Sequence, residues 1–307
     1  MMDELLSSML RSVADIDDIP SVGAYNIRRD GEGVSRRSTE TVEITPKEDK
    51  PGIDIRVAPF CKAEKVHIPV VITKTGVQDL VYNDFYIGEG ADVEIVAGCG
   101  IHNSGCETSE HDGIHRFFVG RGAKVRYVEK HYGEGDGTGG RILNPTTIVE
   151  LGEDAVCEME MVQIRGVDST ERETTATLEK GAKLTIFERL MTHGDQVAHS
   201  NVEIRLCGAG ASAQIISRSV AKDRSEQVFY PKAIGNAPCR AHVQCDSIIM
   251  DEAKIRSIPA IEANHRDAQV IHEAAIGRIN SDQLTKLRTL GLTEEEAEAI
   301  IIEGFLK

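Results

Sequence analysis

A chain of 307 residues is long enough to bury a substantial core, either as one long domain or as two ordinary ones. Its 50 acidic residues against 35 basic ones leave a net charge of −15 at pH 7, which repels phosphate backbones and anionic lipid and argues against nucleic acid and membrane surfaces as partners. Asp3 and Glu4 stand where a secretory leader needs positive charge, and no apolar run approaches the length of a membrane span. The seven cysteines, at 61, 99, 106, 157, 207, 239 and 245, include no C-x-x-C pair, so the expectation is a cytoplasmic protein with reduced thiols.

In chain order, Leu5, Leu6, Met9, Leu10 and Val13 share one face of a predicted N-terminal helix, with Asp3 available as its cap. Residues 20–58 are rich in glycine, proline and charge and predict loops and isolated strands, so a first unit is set at 1–58. A phrase then recurs: a turn residue, an alanine, and alternating side chains. Gly90 and Ala91 precede Val93 and Ile95; Gly122 and Ala123 precede Val125 and Tyr127; Asp154 and Ala155 precede Cys157, Met159 and Met161. Gly181 and Ala182 precede Leu184 and Ile186, and Gly210 and Ala211 precede Ala213 and Ile215. The alanines are 32, 32, 27 and 29 residues apart, a loose period that fits stacked coils of short strands better than the hairpins of a closed sandwich. The alternation places one side of each strand on a core. The predicted fold is therefore mainly β, a parallel solenoid over residues 59–279, with a β-sandwich of regular turns as the alternative. After Asn280 the pattern is helical. Leu284 and Leu287 form a short stripe stopped at Gly291, and Thr293 to Glu296 is a capping box that starts a second helix. Ala297, Ile300 and Ile301 lie on one face of that helix, and Gly304 is its expected end. This unit, 280–307, would cap the last coil or serve as a docking surface.

Three stretches carry candidate chemistry. Cys99, His102, Cys106, His111 and His115, followed by His131, supply thiolate and imidazole, the ligand types of zinc, iron and copper, but at spacings that match no standard zinc module. Gly135, Gly137 and Gly140 spell G-x-G-x-x-G, yet the residues after them read as a strand and not as the helix that a pyrophosphate site requires, and no P-loop motif occurs. This chain is thus expected to bind no nucleotide. Cys245, His272 and Glu273 fall in neighbouring coils of a solenoid and could converge on iron. On composition alone they fit better a packed cysteine and a surface His–Glu pair.

The segment from Gln244 onwards resembles the C-terminal core of the SufB/SufD family. The matching text is Gln244, Cys245, Asp246 and Ser247; Ile258 to Glu262, then Asn264 and Ala268; His272, Glu273 and Ala274; Gly277 to Ile279; Asp282 to Leu284; Gly291 and Leu292; Glu296 and Ala297; and Gly304 and Phe305. Lys130 to Glu134 and Glu158 to Gln163 are similar to short members of the family, whereas the first eighty residues match least. The resemblance implies a right-handed parallel β-helix with helical ends that dimerises through its C-terminal part, as a homodimer or with a SufB/SufD-like paralogue. It implies a SufC-like ABC-type ATPase docked on the C-terminal helices, a sulfur donor, and a transient iron-sulfur cluster held by Cys245 and Glu273, with His272 beside them. The expected role is a scaffold and not an enzyme. Two departures matter: where SufD-type chains carry a cysteine and a histidine, this sequence reads Glu252 to Ser257, and the sulfur-receiving cysteine of long SufB chains has no clear position. The alternative function is a purely structural partner of the ATPase. A sugar-active solenoid enzyme is a more remote rival, disfavoured by 4% aromatics and the lack of tryptophan.

Overall fold

The computed structural model describes residues 4–307, so the expected cap Asp3 lies outside the described residues. The chain begins with α1 (Glu4–Ala14), β1 (Ala24–Arg29), β2 (Glu32–Arg37), β3 (Val42–Pro46) and β4 (Gly52–Val57). It continues through β5 (Glu64–His67), β6 (Val70–Ile72), β7 (Gln78–Ile87), β8 (Asp92–His102), β9 (Ser109–Val119), β10 (Lys124–Glu134), β11 (Arg141–Leu143), β12 (Thr146–Leu151) and β13 (Val156–Arg165). The last coils are β14 (Ser169–Leu178), β15 (Lys183–Thr192), β16 (Val197–Leu206), β17 (Ser212–Ala221), β18 (Glu226–Gly235), β19 (Arg240–Ile249), β20 (Lys254–Ser257), β21 (Ala260–Ala263) and β22 (Gln269–Gly277). Helices α2 (Ser281–Thr289) and α3 (Glu294–Leu306) close the chain.

The strands stack into two eleven-stranded sheets, and every pairing is parallel except the hairpins β1–β2 and β3–β4. This is the parallel β-solenoid that the recurring phrase predicts. In the first sheet Val93, Val125, Cys157, Leu184 and Ala213 occupy one register row, so the repeat read from the sequence is one rung position copied along the stack. Each turn residue of the phrase sits in the left-handed region (Gly90 φ 63°, Gly122 62°, Asp154 56°, Gly181 69°, Gly210 77°), which explains why glycine dominates there. The alanine that follows is buried at every corner, where a larger side chain would have no room. Inward side chains form one continuous core along the stack, and Phe85 and Phe117 lie in it with ring centroids 4.3 Å apart.

The two ends differ. Residues 20–58, expected as loops and isolated strands, pair their β1–β2 and β3–β4 hairpins onto the first coil, and the exposed edge strand β2 carries Glu32, Arg36 and Arg37. α1 lies across the outer face of β8 and β10, with Met9 and Val13 fitted against Gly100 and Gly98. A methyl group on Gly98 would stand 1.9 Å from the Val13 carbonyl oxygen. Gly98→Ala is therefore expected to lift α1 from the sheet, and limited proteolysis should cut residues 4–14 at a rate at least tenfold above wild type while the solenoid resists. At the other end β20, β21 and β22 are the last strands of their sheets; Ile261, Ile271 and Ile276 on them, and Ile258 between β20 and β21, are all about half exposed.

The capping box at Thr293 and Glu296 is formed, and Gly291 takes φ 96° after α2. Two details of the helical reading change. Ala297, Ile302 and Leu306 are the buried residues of α3, whereas Ile300 is exposed. The helix also runs through Gly304 to Leu306, because Ile302 and Leu306 pack on Val220 and Met250 and hold the last turn in place. Among the described residues no helix is long and apolar enough to cross a membrane.

Candidate functional site

Side chains alternate between the inside and outside of the solenoid, so parity along each strand decides which candidates can meet. On β19, Ala241, Val243 and Cys245 face inward and belong to the core. β22 pairs with β19 so that His272 lies beside Val243 and Ala274 beside Cys245. His272 consequently faces inward, and its Nε2 is 3.2 Å from Cys245 Sγ. Glu273, one residue on, lies beside Gln244 on the outer face, two-thirds exposed, with Oε2 3.5 Å from His242 Nε2. The structure thus joins two of the three predicted ligands and sets Glu273 on the opposite side of the sheet. Burial pushes the Cys245 thiol up to about 11, the neighbouring Ser257 hydroxyl opposes the rise, and the Glu188 and Asp246 carboxylates reinforce it. Burial, with His242 nearby, lowers His272 from its ordinary value.

The loop candidates separate in the same manner. Cys99, His111 and His115 face inward and are buried, His102 faces outward with Nδ1 3.0 Å from Glu134 Oε1, and Cys106 is exposed. His111 Nδ1 is 3.0 Å from Asp79 Oδ2, and its buried Nε2 has no oxygen or nitrogen partner, which leaves the Cys99 sulfur as the neighbour of the ring. Burial works to lower His111, but the Cys99 sulfur and the Asp79 carboxylate outweigh it and raise this imidazole to about 10. Among the described residues no three His, Cys, Asp or Glu side chains are grouped so as to hold a metal ion.

Between the two cysteines the interior carries a polar lane that motif reading missed. His115 Nδ1 lies 2.6 Å from Tyr127 Oη, which donates to Glu129 Oε1 at 3.0 Å. Arg172 is paired with Glu129, and its Nε lies 3.8 Å from Glu188 Oε1. Glu188 accepts hydrogen bonds from Ser200 Oγ (2.6 Å) and Ser217 Oγ (2.9 Å), and Ser217 is the register partner of Cys245. His131 Nδ1 approaches Gln163 Oε1, to which Thr170 also donates. Burial holds His115 and His131 down to about 4, so both are neutral at pH 7. Burial would raise Glu129, but the Arg172 guanidinium and nearby imidazoles overcome it and hold this carboxyl at about 2. A signal was present: Glu129, Arg172 and Glu188 occupy inward positions of alternating strands, where apolar residues are the rule.

The family model described as SUF system FeS cluster assembly, SufBD core domain, matches residues 75–305. An iron-sulfur cluster assembly SufBD family protein of Methanocaldococcus jannaschii is 28% identical over 243 residues, covering 78% of this chain and 76% of its own length. One from Archaeoglobus fulgidus is 29% identical over 273 residues, covering 87% of this chain and 71% of that protein. One from Methanothermobacter thermautotrophicus (strain Winter) is 26% identical over 233 residues, which is 75% of this chain but 56% of that relative.

Proposed function

The chain belongs to the SufBD family and so has a role in iron-sulfur cluster assembly, and from that premise we propose that it is a scaffold on which a nascent cluster forms at Cys245, at an interface between two copies of the chain. The observation that carries this reading is the 3.2 Å approach of Cys245 Sγ and His272 Nε2 directly beneath the open end of the solenoid. Thiolate and imidazole suit iron, whereas Glu273, on the outer face of the same strand, is a hard, weak ligand that could serve a cargo only on the interface side of the sheet. The hairpins and charged edge of the first coil contrast with the open outer edges and exposed isoleucines of the last, which supports self-association there. A two-fold axis would bring two copies of this patch together and multiply the ligand set. A SufB/SufD-like paralogue could take the place of the second copy.

A SufC-like ATPase is the proposed source of work, and a separate sulfur donor supplies sulfide. α2 buries none of its residues against the solenoid, which leaves it free for a partner. α3 is anchored by Ile302 and Leu306 to Val220 and Met250, which end the strands that carry Ser217 and Cys245. Arg218 also donates to the Phe305 carbonyl at 3.2 Å. A pull on α3 is therefore delivered to the rungs around the thiol, and nucleotide chemistry stays in the partner. The setting is the cytoplasm.

Anaerobic reconstitution with iron and sulfide tests the proposal. Wild type is expected to self-associate and to develop thiolate-to-iron absorption in the visible. Ile271→Lys with Ile276→Lys, which places two cations on the last strand, is expected to be monomeric and to remain colourless. A monomeric variant that colours as fully as wild type would overturn the interface, and a wild type that never colours would overturn the scaffold.

A further inference from the structure

A cavity of about 20 Å³, room for a single water-sized particle, lies against Cys245; its polar lining includes Glu188, Ser217, Gln227, Ser247 and Ser257, and Arg256 and apolar side chains complete the wall. Its polar groups are unevenly matched. Gln227 is 3% exposed and spends its amide hydrogens on Thr192 Oγ1 and the Val220 carbonyl, both at 2.9 Å, which leaves Oε1 buried without a partner. The Ser257 hydroxyl is likewise buried and has no oxygen or nitrogen partner, the Cys245 sulfur being its neighbour. Ser200 and Ser217 direct their hydrogens at Glu188, and Ser219 and Ser247 share one between them at 2.8 Å. Most donors around the cavity are committed while acceptors remain, which is the polarity that a cation needs. Two buried carboxylates, Glu129 and Glu188, flank the buried guanidinium of Arg172, while Arg256, also at the cavity wall, occupies an exposed position of β20.

We propose that this chamber is a loading site for one divalent cation of the ferrous type, held by oxygen atoms of Glu188, Gln227 and Ser257 and presented to Cys245. The inference rests on the scaffold reading for its cargo and adds a place for iron to wait inside the chain, before sulfide and outside the shared interface. Hard oxygen donors bind such an ion weakly enough for it to pass on to sulfur. No redox change is involved, since the ion arrives and leaves divalent.

Anaerobic titration with cobalt(II) decides it. Wild type is expected to show a thiolate-to-cobalt charge-transfer band that Cys245→Ala removes, which assigns the band to this thiol, and the Glu188 and Ser257 variants then tell the chamber side of it from the His272 side. Glu188→Gln is expected to need roughly 10–100-fold more cobalt for the same band. Ser257→Ala, which removes a hydroxyl bonded to no other oxygen or nitrogen group and so spares the fold, is expected to shift the titration severalfold in the same direction. A wild type without the band means that the cavity holds water only and overturns the proposal. So does a titration of Ser257→Ala and of folded Glu188→Gln that superimposes on wild type. If Glu188→Gln melts early, Ser257→Ala decides alone. These readouts are independent of cluster reconstitution, so a failed chamber and a failed scaffold give different results.

Discussion

Arg172→Met is expected to cost about 3–5 kcal/mol of stability, the largest loss for any single side chain in the solenoid. The guanidinium is buried, paired with Glu129 and close to Glu188 in an interior that water does not enter freely. Removing it leaves two buried carboxylates facing neutral imidazoles, and the penalty is the desolvation of unpaired charge and not the loss of one contact. Urea denaturation should show a lower midpoint with an unchanged slope. The pH dependence distinguishes this cause from a packing defect. Glu129 is held at about 2 in the folded chain against an ordinary 4.5, so its contribution is complete above about pH 4.5 and is lost as pH falls through 2. The gap between wild type and Arg172→Met should therefore be widest near neutrality and narrow in acid. A gap independent of pH would assign the loss to packing.

What could be read in advance followed the physics of each feature. The Gly-Ala phrase was legible because a left-handed turn and a crowded corner leave little choice of residue, and it marks the first sheet from β8 to β17. The second sheet has no such phrase, since its strands are joined through bends of varied sequence. The hairpins of residues 20–58 read only as loops and isolated strands because they are short and rich in charge, although β1–β2 and β3–β4 pair locally and only β1 and β4 go on to join the first coil. At the site, Cys245 and His272 met because a separation of 27 residues is close to one coil. The outward turn of Glu273 follows from its being one residue past an inward one. The same parity divides His102 from Cys99, two positions that a ligand count treats alike. The pairing of Glu129 with Arg172, 43 residues on, depends on the lengths of the intervening turns, which the sequence pattern alone does not set.

Cys245→Ala is expected to reduce the visible absorption of the reconstituted protein to background while leaving the fold intact. The substitution removes one sulfur from a site beside Ser217 and Ala274 and leaves every strand pairing unchanged, so its structural cost is about 1 kcal/mol, small against the loss of a thiolate ligand. Thermal melting should therefore move by only a few degrees. Under the rival reading, a structural partner of the ATPase, the thiol is an ordinary core residue and the colour of wild type would come from elsewhere. The exposed Cys106 and Cys207 are the available sources, since their thiols reach solvent without any movement of the coil. Cys245→Ala that colours as wild type does would transfer the chemistry to those sites and leave this chain its mechanical role. A colourless but fully folded Cys245→Ala separates the two readings cleanly, because only a ligand, and not a packed methyl-sized side chain, can lose function without losing structure.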